Sequence, residues 1–215
     1  MQYSVFADAD LRKADFKFAS LSGSSFVNAD LRESNLEDAV FNYADFSNAK
    51  LSYAYVWIDG YGARFTGADL SNTNISGSGL YGANFDNANL TEADFYNTNL
   101  SRTSMTNAVL VNADISEANL SNADMRNVDL TGANIWGTDF TGVDITKIVG
   151  LENTVTEKWD GTTEGNFVST GAPVETACGE GTIYKDGQCV LDERGGGCLI
   201  ATAAFGSEMA PQVQF

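Results

Sequence analysis

A large apolar residue returns at every fifth position over most of this 215-residue chain. The series runs Phe6, Leu11, Phe16, Leu21, Phe26, Leu31, Leu36, Phe41, Phe46, Leu51, Val56, then resumes at Phe65, Leu70, Ile75, Leu80, Phe85, Leu90 and onward to Ile145. Eleven such centres precede the interruption and 17 follow it, and all 28 are Leu, Phe, Ile, Met or Val. Two places before the centre stands Ala in 18 cases and Ser, Thr or Val in the rest. The residue directly before the centre is Asp or Asn in 18 of the 28. The unit therefore reads Ala-(Asp/Asn)-(Leu/Phe)-x-x.

This period excludes a helix. At about 100° per residue, a five-residue step turns the apolar position by roughly 140° net, so the large residues spiral and form no stripe. On an extended backbone, side chains two apart face the same way. The large residue and its small neighbour then share one interior, and the Asp or Asn between them points out. A chain that turns a corner every five residues keeps each centre inside, and four sides close a coil of about 20 residues. A narrow tube cannot hold two bulky side chains per side, which explains the Ala column. Asx and Gly suit the corners, and the presence of only 2 Pro suits a stacked ladder. The expected fold class is all-β: a parallel β-helix with an irregular C-terminal tail.

The units Ala29-Asp30-Leu31, Ala68-Asp69-Leu70, Ala88-Asn89-Leu90 and Ala118-Asn119-Leu120 resemble those of the pentapeptide-repeat family, over roughly residues 2–149. The resemblance implies a right-handed quadrilateral β-helix. With 28 centres at four per coil it predicts about seven coils, a rod roughly 34 Å long.

Composition narrows the chemistry. The chain has no His, which excludes imidazole-based nucleophile activation, HExxH zinc sites and His general bases. Twelve cations against 29 anions, net -17, do not make a surface for direct nucleic-acid binding. The bases are scattered and the acids follow the repeat. The pair Glu37-Asp38, read as strand, would send its carboxylates to opposite faces. No catalytic residues, cofactor or metal site are expected, and no nucleotide or EF-hand motif occurs.

Two features carry functional readings. From Val56 to Phe65 there are nine residues where ten would keep phase, so one is missing within Trp57-Ile58-Asp59-Gly60-Tyr61-Gly62. This is either a tightened corner, tolerated because Gly60 and Gly62 accept unusual dihedrals, or part of a binding surface. Tyr43, Tyr53, Tyr55, Trp57 and Tyr61 crowd the region at outward or corner positions and form a candidate partner-binding patch for proteins or sugars. Residues 1–150 also carry 19 acids and 9 bases, with eleven of the acids directly before a centre. Corner and solubility roles explain them. The alternative comes from the resemblance: some pentapeptide-repeat proteins bind type II topoisomerases as acidic mimics of duplex DNA, though residues 150–215 do not resemble the C-terminal helical dimerisation segment of those mimics. The leading expectation is a non-enzymatic structural or interaction rod with an unidentified protein partner.

The organisation divides into a repeat domain (1–149), a cap and linker (150–177) with Trp159 as a cover for the last coil, a small Cys-bounded segment ending in a Gly linker (178–197), and a C-terminal box (198–215). The run from Cys178 to Cys189 resembles short Cys-Gly-x-Gly-Thr…Gly-x-Cys modules of extracytoplasmic archaeal and bacterial proteins. That resemblance implies a hairpin around Lys185-Asp186-Gly187 closed by a Cys178–Cys189 disulfide, with free thiols as the alternative. Cys198-Leu199-Ile200-Ala201-Thr202-Ala203 resembles a Cys-(Phe/Leu)-Ile-Ala-Thr-Ala box of envelope or secreted proteins, apparently truncated here. The box is too short to span a bilayer, and no transmembrane segment is expected. The tail thus points outside the cytoplasm, whereas Met1-Gln2-Tyr3-Ser4 lacks a signal sequence and points inside it. The repeat begins in phase almost at once. Either Met1–Val5 is a sufficient lid, or the chain is a fragment, or the N-terminal coil associates with another copy.

Overall fold

The computed structural model describes residues 2–154, 182–185 and 188–191. Each unit supplies one bridged residue, the one before the centre, paired in parallel with the residue 20 positions on: Val5 with Ser25, Asp10 with Asp30, Asp15 with Asn35 and Ser20 with Val40. The same ladders continue as far as Asn119 with Asp139 and Asp129 with Val149. Two rungs are long enough to be strands, β1 (Ala39–Val40) and β2 (Ile58–Asp59), which pair in parallel. Every centre from Leu21 to Ile145 is buried, and Phe6, Leu11 and Phe16 at the open first coil are partly buried. Phe6, Phe26, Phe46, Phe65 and Phe85 stack in one column with ring centroids 4.7 to 5.0 Å apart.

The corners follow from backbone bookkeeping. In the unit 120–124, the Leu120 N–H donates to Asp139 O on the next coil (2.9 Å), Asn122 to Thr141 O (2.7 Å), Ala123 back across the turn to Leu120 O (2.9 Å) and Asp124 to Thr103 O on the previous coil (2.9 Å). The fifth N–H, of Ser121, reaches no carbonyl and donates instead to Asn119 Oδ1 at 2.9 Å. All 18 Asp and Asn residues before a centre cap the same N–H, from Asp10 on Arg12 to Asp144 on Thr146. The second residue after the centre has positive φ, the mark of a type II turn. Among the 28 corner residues with positive φ, eight are Gly, nine Asn and two Asp. None is β-branched, the class least able to adopt that conformation.

The phase break has a physical cause different from the dihedral freedom expected of Gly60 and Gly62. Two places after Val56, where a positive φ is due, stands the β-branched Ile58. The chain omits the corner residue, and the ladder passes through with a step of 19: Ala39 pairs with Ile58 and Val40 with Asp59. Ile58 therefore takes the inward place normally held by Ala, and Gly60 takes the centre. An added Cβ on Gly60 would stand 2.9 Å from Leu80 Cδ2 and 3.2 Å from Ile58 Cδ1, so Ile58 fills the space that Gly60 leaves. Gly62, at φ +61, is an ordinary corner. The broken turn is repaired by the buried Ser78, whose Oγ accepts from the Ile58 N–H (3.1 Å) and donates to Val56 O (2.8 Å).

The repeat ends in two short 3-10 turns, Ile145–Lys147 and Leu151–Asn153, the first capped by Asp144. Hydrogen bonds still tie Lys147, Val149 and Asn153 to the preceding coil. Farther along, β3 (Thr182–Lys185) pairs antiparallel with β4 (Gln188–Leu191), with Lys185 opposite Gln188. Trp159, Cys178 and the box at 198–215, on which the expected cap, disulfide and C-terminal module fall, lie outside the described residues. Among the described residues no helix is long and apolar enough to cross a membrane.

Ile58→Ala is expected to lower stability by about 2–5 kcal/mol, Gly60→Ala by about 1–3 kcal/mol through overpacking and Ser78→Ala by about 1–3 kcal/mol. Combining Ile58→Ala with Gly60→Ala should cost less than the sum, because Ile58 Cδ1 is one of the atoms the new methyl meets. Denaturant melts of the four variants check this order.

Candidate binding surface

With two of five side chains in each unit committed to the interior, the rest are outward or at corners. All five residues of the aromatic patch lie at the surface: Tyr43, Tyr53, Tyr55, Trp57 and Tyr61 are 46–66% exposed. They do not form one cluster. Tyr43 and Tyr61 occupy one corner on successive coils, edge to face with centroids 5.3 Å apart. Tyr81 extends this column, stacked on Tyr61 at 5.3 Å, with the Arg102 guanidinium 5.8 Å from its ring centroid. Tyr55 and Trp57 line a separate open groove together with Tyr96. Tyr53 stands at a third corner and makes no ring contact among the described residues. Tyr81 and Tyr96 escape a reading in steps of five. The signal that finds them is the step of 20 (19 across the break), which places Tyr81 above Tyr61 and Tyr96 above Ser76.

Tyr43 and Tyr53 have positive φ, 59° and 61°. A bulky residue held there costs roughly 1–2 kcal/mol relative to Gly, and the equivalent corners elsewhere mostly carry Asn or Gly. The same strain is carried at other corners by Tyr3, Lys13, Phe18, Glu33, Glu92, Arg102 and Glu117.

Charge is distributed unevenly along the coil. Five of the seven ion pairs among the described residues fall between residues 10 and 37, including Arg12–Asp10 (2.7 Å), Arg32–Asp30 (2.6 Å) and Lys17–Glu37 (2.6 Å). Glu37 and Asp38 sit at a corner, not along a strand, and both face outward. Residues 65–150 hold ten acids and only three bases, Arg102, Arg126 and Lys147. Hydrogen bonds from the Arg12 guanidinium and backbone N–H hold Asp10 down to about 2. Arg32 and Arg126 likewise lower Asp30 and Asp124, and the hydroxyl and N–H of Thr131 and Thr146 lower Asp129 and Asp144. No group of three or more His, Cys, Asp or Glu among the described residues is placed to hold a metal ion.

The sequence profile described as pentapeptide repeats matches in 8 copies, over residues 1–26, 19–54, 63–107 and 108–146. The chain belongs to the pentapeptide-repeat family. Among solved structures it is similar to a trypsin-treated variant of QnrB1, a plasmid-mediated fluoroquinolone resistance protein, at 20% identity and TM-score 0.63, covering 74% of this chain and 84% of that one. Weaker superpositions are found with HetL from the cyanobacterium Nostoc (20% identity, 75% and 92% covered, TM-score 0.29) and with a pentapeptide-repeat protein of the Arabidopsis thaliana thylakoid lumen (27%, 54% and 71%, 0.31). No curated protein sequence matches the chain. The first of these likenesses establishes a shared fold; the other two superimpose too loosely to add to it. Pentapeptide-repeat proteins are generally structural or interaction proteins rather than enzymes.

Tyr53→Asn is expected to raise stability by up to about 1 kcal/mol, as relief of a strained corner; thermal melts read the sign. The depressed carboxyls set the acid limb. Their contribution is complete above the unfolded value of about 3.9 and disappears as pH falls toward the folded value. The melting temperature should therefore stay level from about pH 7 to pH 5 and drop between about pH 4 and pH 2. Asp129→Asn, which keeps the capping oxygen but cannot titrate, should make that drop shallower.

Proposed function

We propose that this protein is a non-enzymatic interaction rod, a right-handed quadrilateral coil of about seven turns that presents a regular surface for protein binding or assembly. The observation that carries this reading is the set of exposed aromatics around residues 43–61, two of them at positive φ, on a scaffold whose interior needs none of them. Exposed aromatic rings on a rigid support suit the centre of a protein interface. The tail (cap and linker 150–177, Cys-bounded segment 178–197 and box 198–215) is assigned a tethering role on its resemblance to envelope-protein modules. The first coil, with Phe6, Leu11 and Phe16 only partly covered, supports self-association through the N-terminal end.

A second reading, an acidic mimic of duplex DNA acting on a type II topoisomerase, is favoured by the surplus of acid over residues 65–150. A supercoiling assay separates the two. A mimic blocks the topoisomerase at stoichiometric amounts, and a scaffold leaves it unaffected.

Affinity capture from native extract with the full chain tests the first reading. Proteins retained by the wild type should be lost with the Tyr55→Ala/Trp57→Ala double variant. Identical capture by both would remove the patch as the docking surface.

A further inference from the structure

The groove beside Trp57 has a chemistry of its own. It is open, has a volume of about 420 Å³, and is lined by Glu37, Tyr55, Trp57, Asn74, Ser76, Gly77, Tyr96 and Asn97. Its floor is Ser76-Gly77. Gly77 has no side chain, and Trp57 Nε1 lies 3.6 Å from where its Cβ would stand. Trp57 rises one coil below this floor and Tyr96 one coil above it, with Gly77 N–H bonded to Tyr96 O at 2.9 Å. The lining spans four successive coils, about 14 Å along the rod.

We infer that this groove binds a short, neutral carbohydrate chain. The inference rests on the reading of the aromatic patch as a recognition surface and names the ligand class for one part of it. Tyr55, Trp57 and Tyr96 are each half or more exposed, so their apolar faces are available to the C–H faces of sugar rings. Sugar hydroxyls need partners that both donate and accept. The Tyr55 and Tyr96 hydroxyls and the Asn97 amide make no hydrogen bond among the described residues. Asn74 engages only its Oδ1, to the N–H and hydroxyl of Ser76 (3.1 and 2.8 Å), which leaves its Nδ2 free.

Two other occupants fit less well. A quaternary ammonium or lysine side chain needs an anion beside the rings, but the Glu37 carboxylate is already paired with Lys17 Nζ at 2.6 Å. An apolar peptide segment would cover the Asn74 and Asn97 amides without satisfying them.

The test uses the full chain and four neutral probes: cellohexaose, hexa-N-acetylchitohexaose, maltohexaose and laminarihexaose. Saturation-transfer NMR should show magnetisation passing from protein aromatic protons to at least one of them, with a Kd of about 1 mM or tighter. Trp57→Ala and Tyr96→Ala should each weaken binding at least about tenfold. Tyr61→Ala, at a different corner, should leave it unchanged, and thermal melts confirm that each variant is folded. Binding of none of the four at about 10 mM, or undiminished binding by folded Trp57→Ala and Tyr96→Ala, overturns the inference. So does binding of tetramethylammonium in place of the sugars. If the sugars fail while protein capture still depends on Tyr55 and Trp57, the patch survives as a protein site and only the carbohydrate is withdrawn; if both fail, the patch goes too.

Discussion

Each turn of this molecule depends on one backbone N–H that no carbonyl can reach. It belongs to the residue after the large inward side chain, where the chain leaves one side and enters the next. The other four amides of the unit find partners along or across the coil, but this one is stranded at the corner. Asp or Asn two places earlier supplies the missing acceptor. At Ser104, which is neither, a neighbour substitutes: Asp86 Oδ1 takes the Thr106 N–H (2.9 Å). At the shortened side Asp59 is in place, yet the Tyr61 N–H goes to Asn42 Oδ1 instead (2.9 Å). Much of the acid on the surface is therefore there to close the turn. Its outward charge is a by-product that recognition can use.

The five-residue period exposes the interior almost completely, because the inward positions obey a rule that involves only near neighbours. Leu, Phe and Ala appear on schedule, and the burial follows. What lies beside what on the outside obeys a different step, one whole turn of the chain. The stack from Phe6 to Phe85 and the pairing of Tyr61 with Tyr81 emerge only when the sequence is folded back every 20 residues. The break at Val56 looked like a matter of glycine freedom and is a matter of volume: a branched side chain that cannot take the corner moves inside, and Gly60 gives up its space to it. Ser78 reads in the sequence only as one more small inward residue, since its role in the turn exists only through the coil beneath it.

Interior and surface are nearly independent in such a coil. A packed centre and its Ala neighbour fix the fold, and the remaining three positions can change as long as the corner stays compatible with positive φ and its stranded N–H keeps an acceptor. Tyr43 and Tyr53 test that compatibility. They sit where Asn would be easier, within one turn of Trp57 and its groove. Tyr3 and Phe18 show the same conflict between comfort of the chain and presence of an aromatic ring at the first coil.

The shortened side also bears on how relatives of this chain are to be aligned. The matched segments stop at residue 54 and resume at 63, yet the ladder runs without a gap through β2. A reader counting in fives loses the thread where the molecule has merely dropped a bead and kept its storey. Ancestry traced by whole turns, with one permitted stitch, would join what frame-by-frame comparison leaves as two separate arrays.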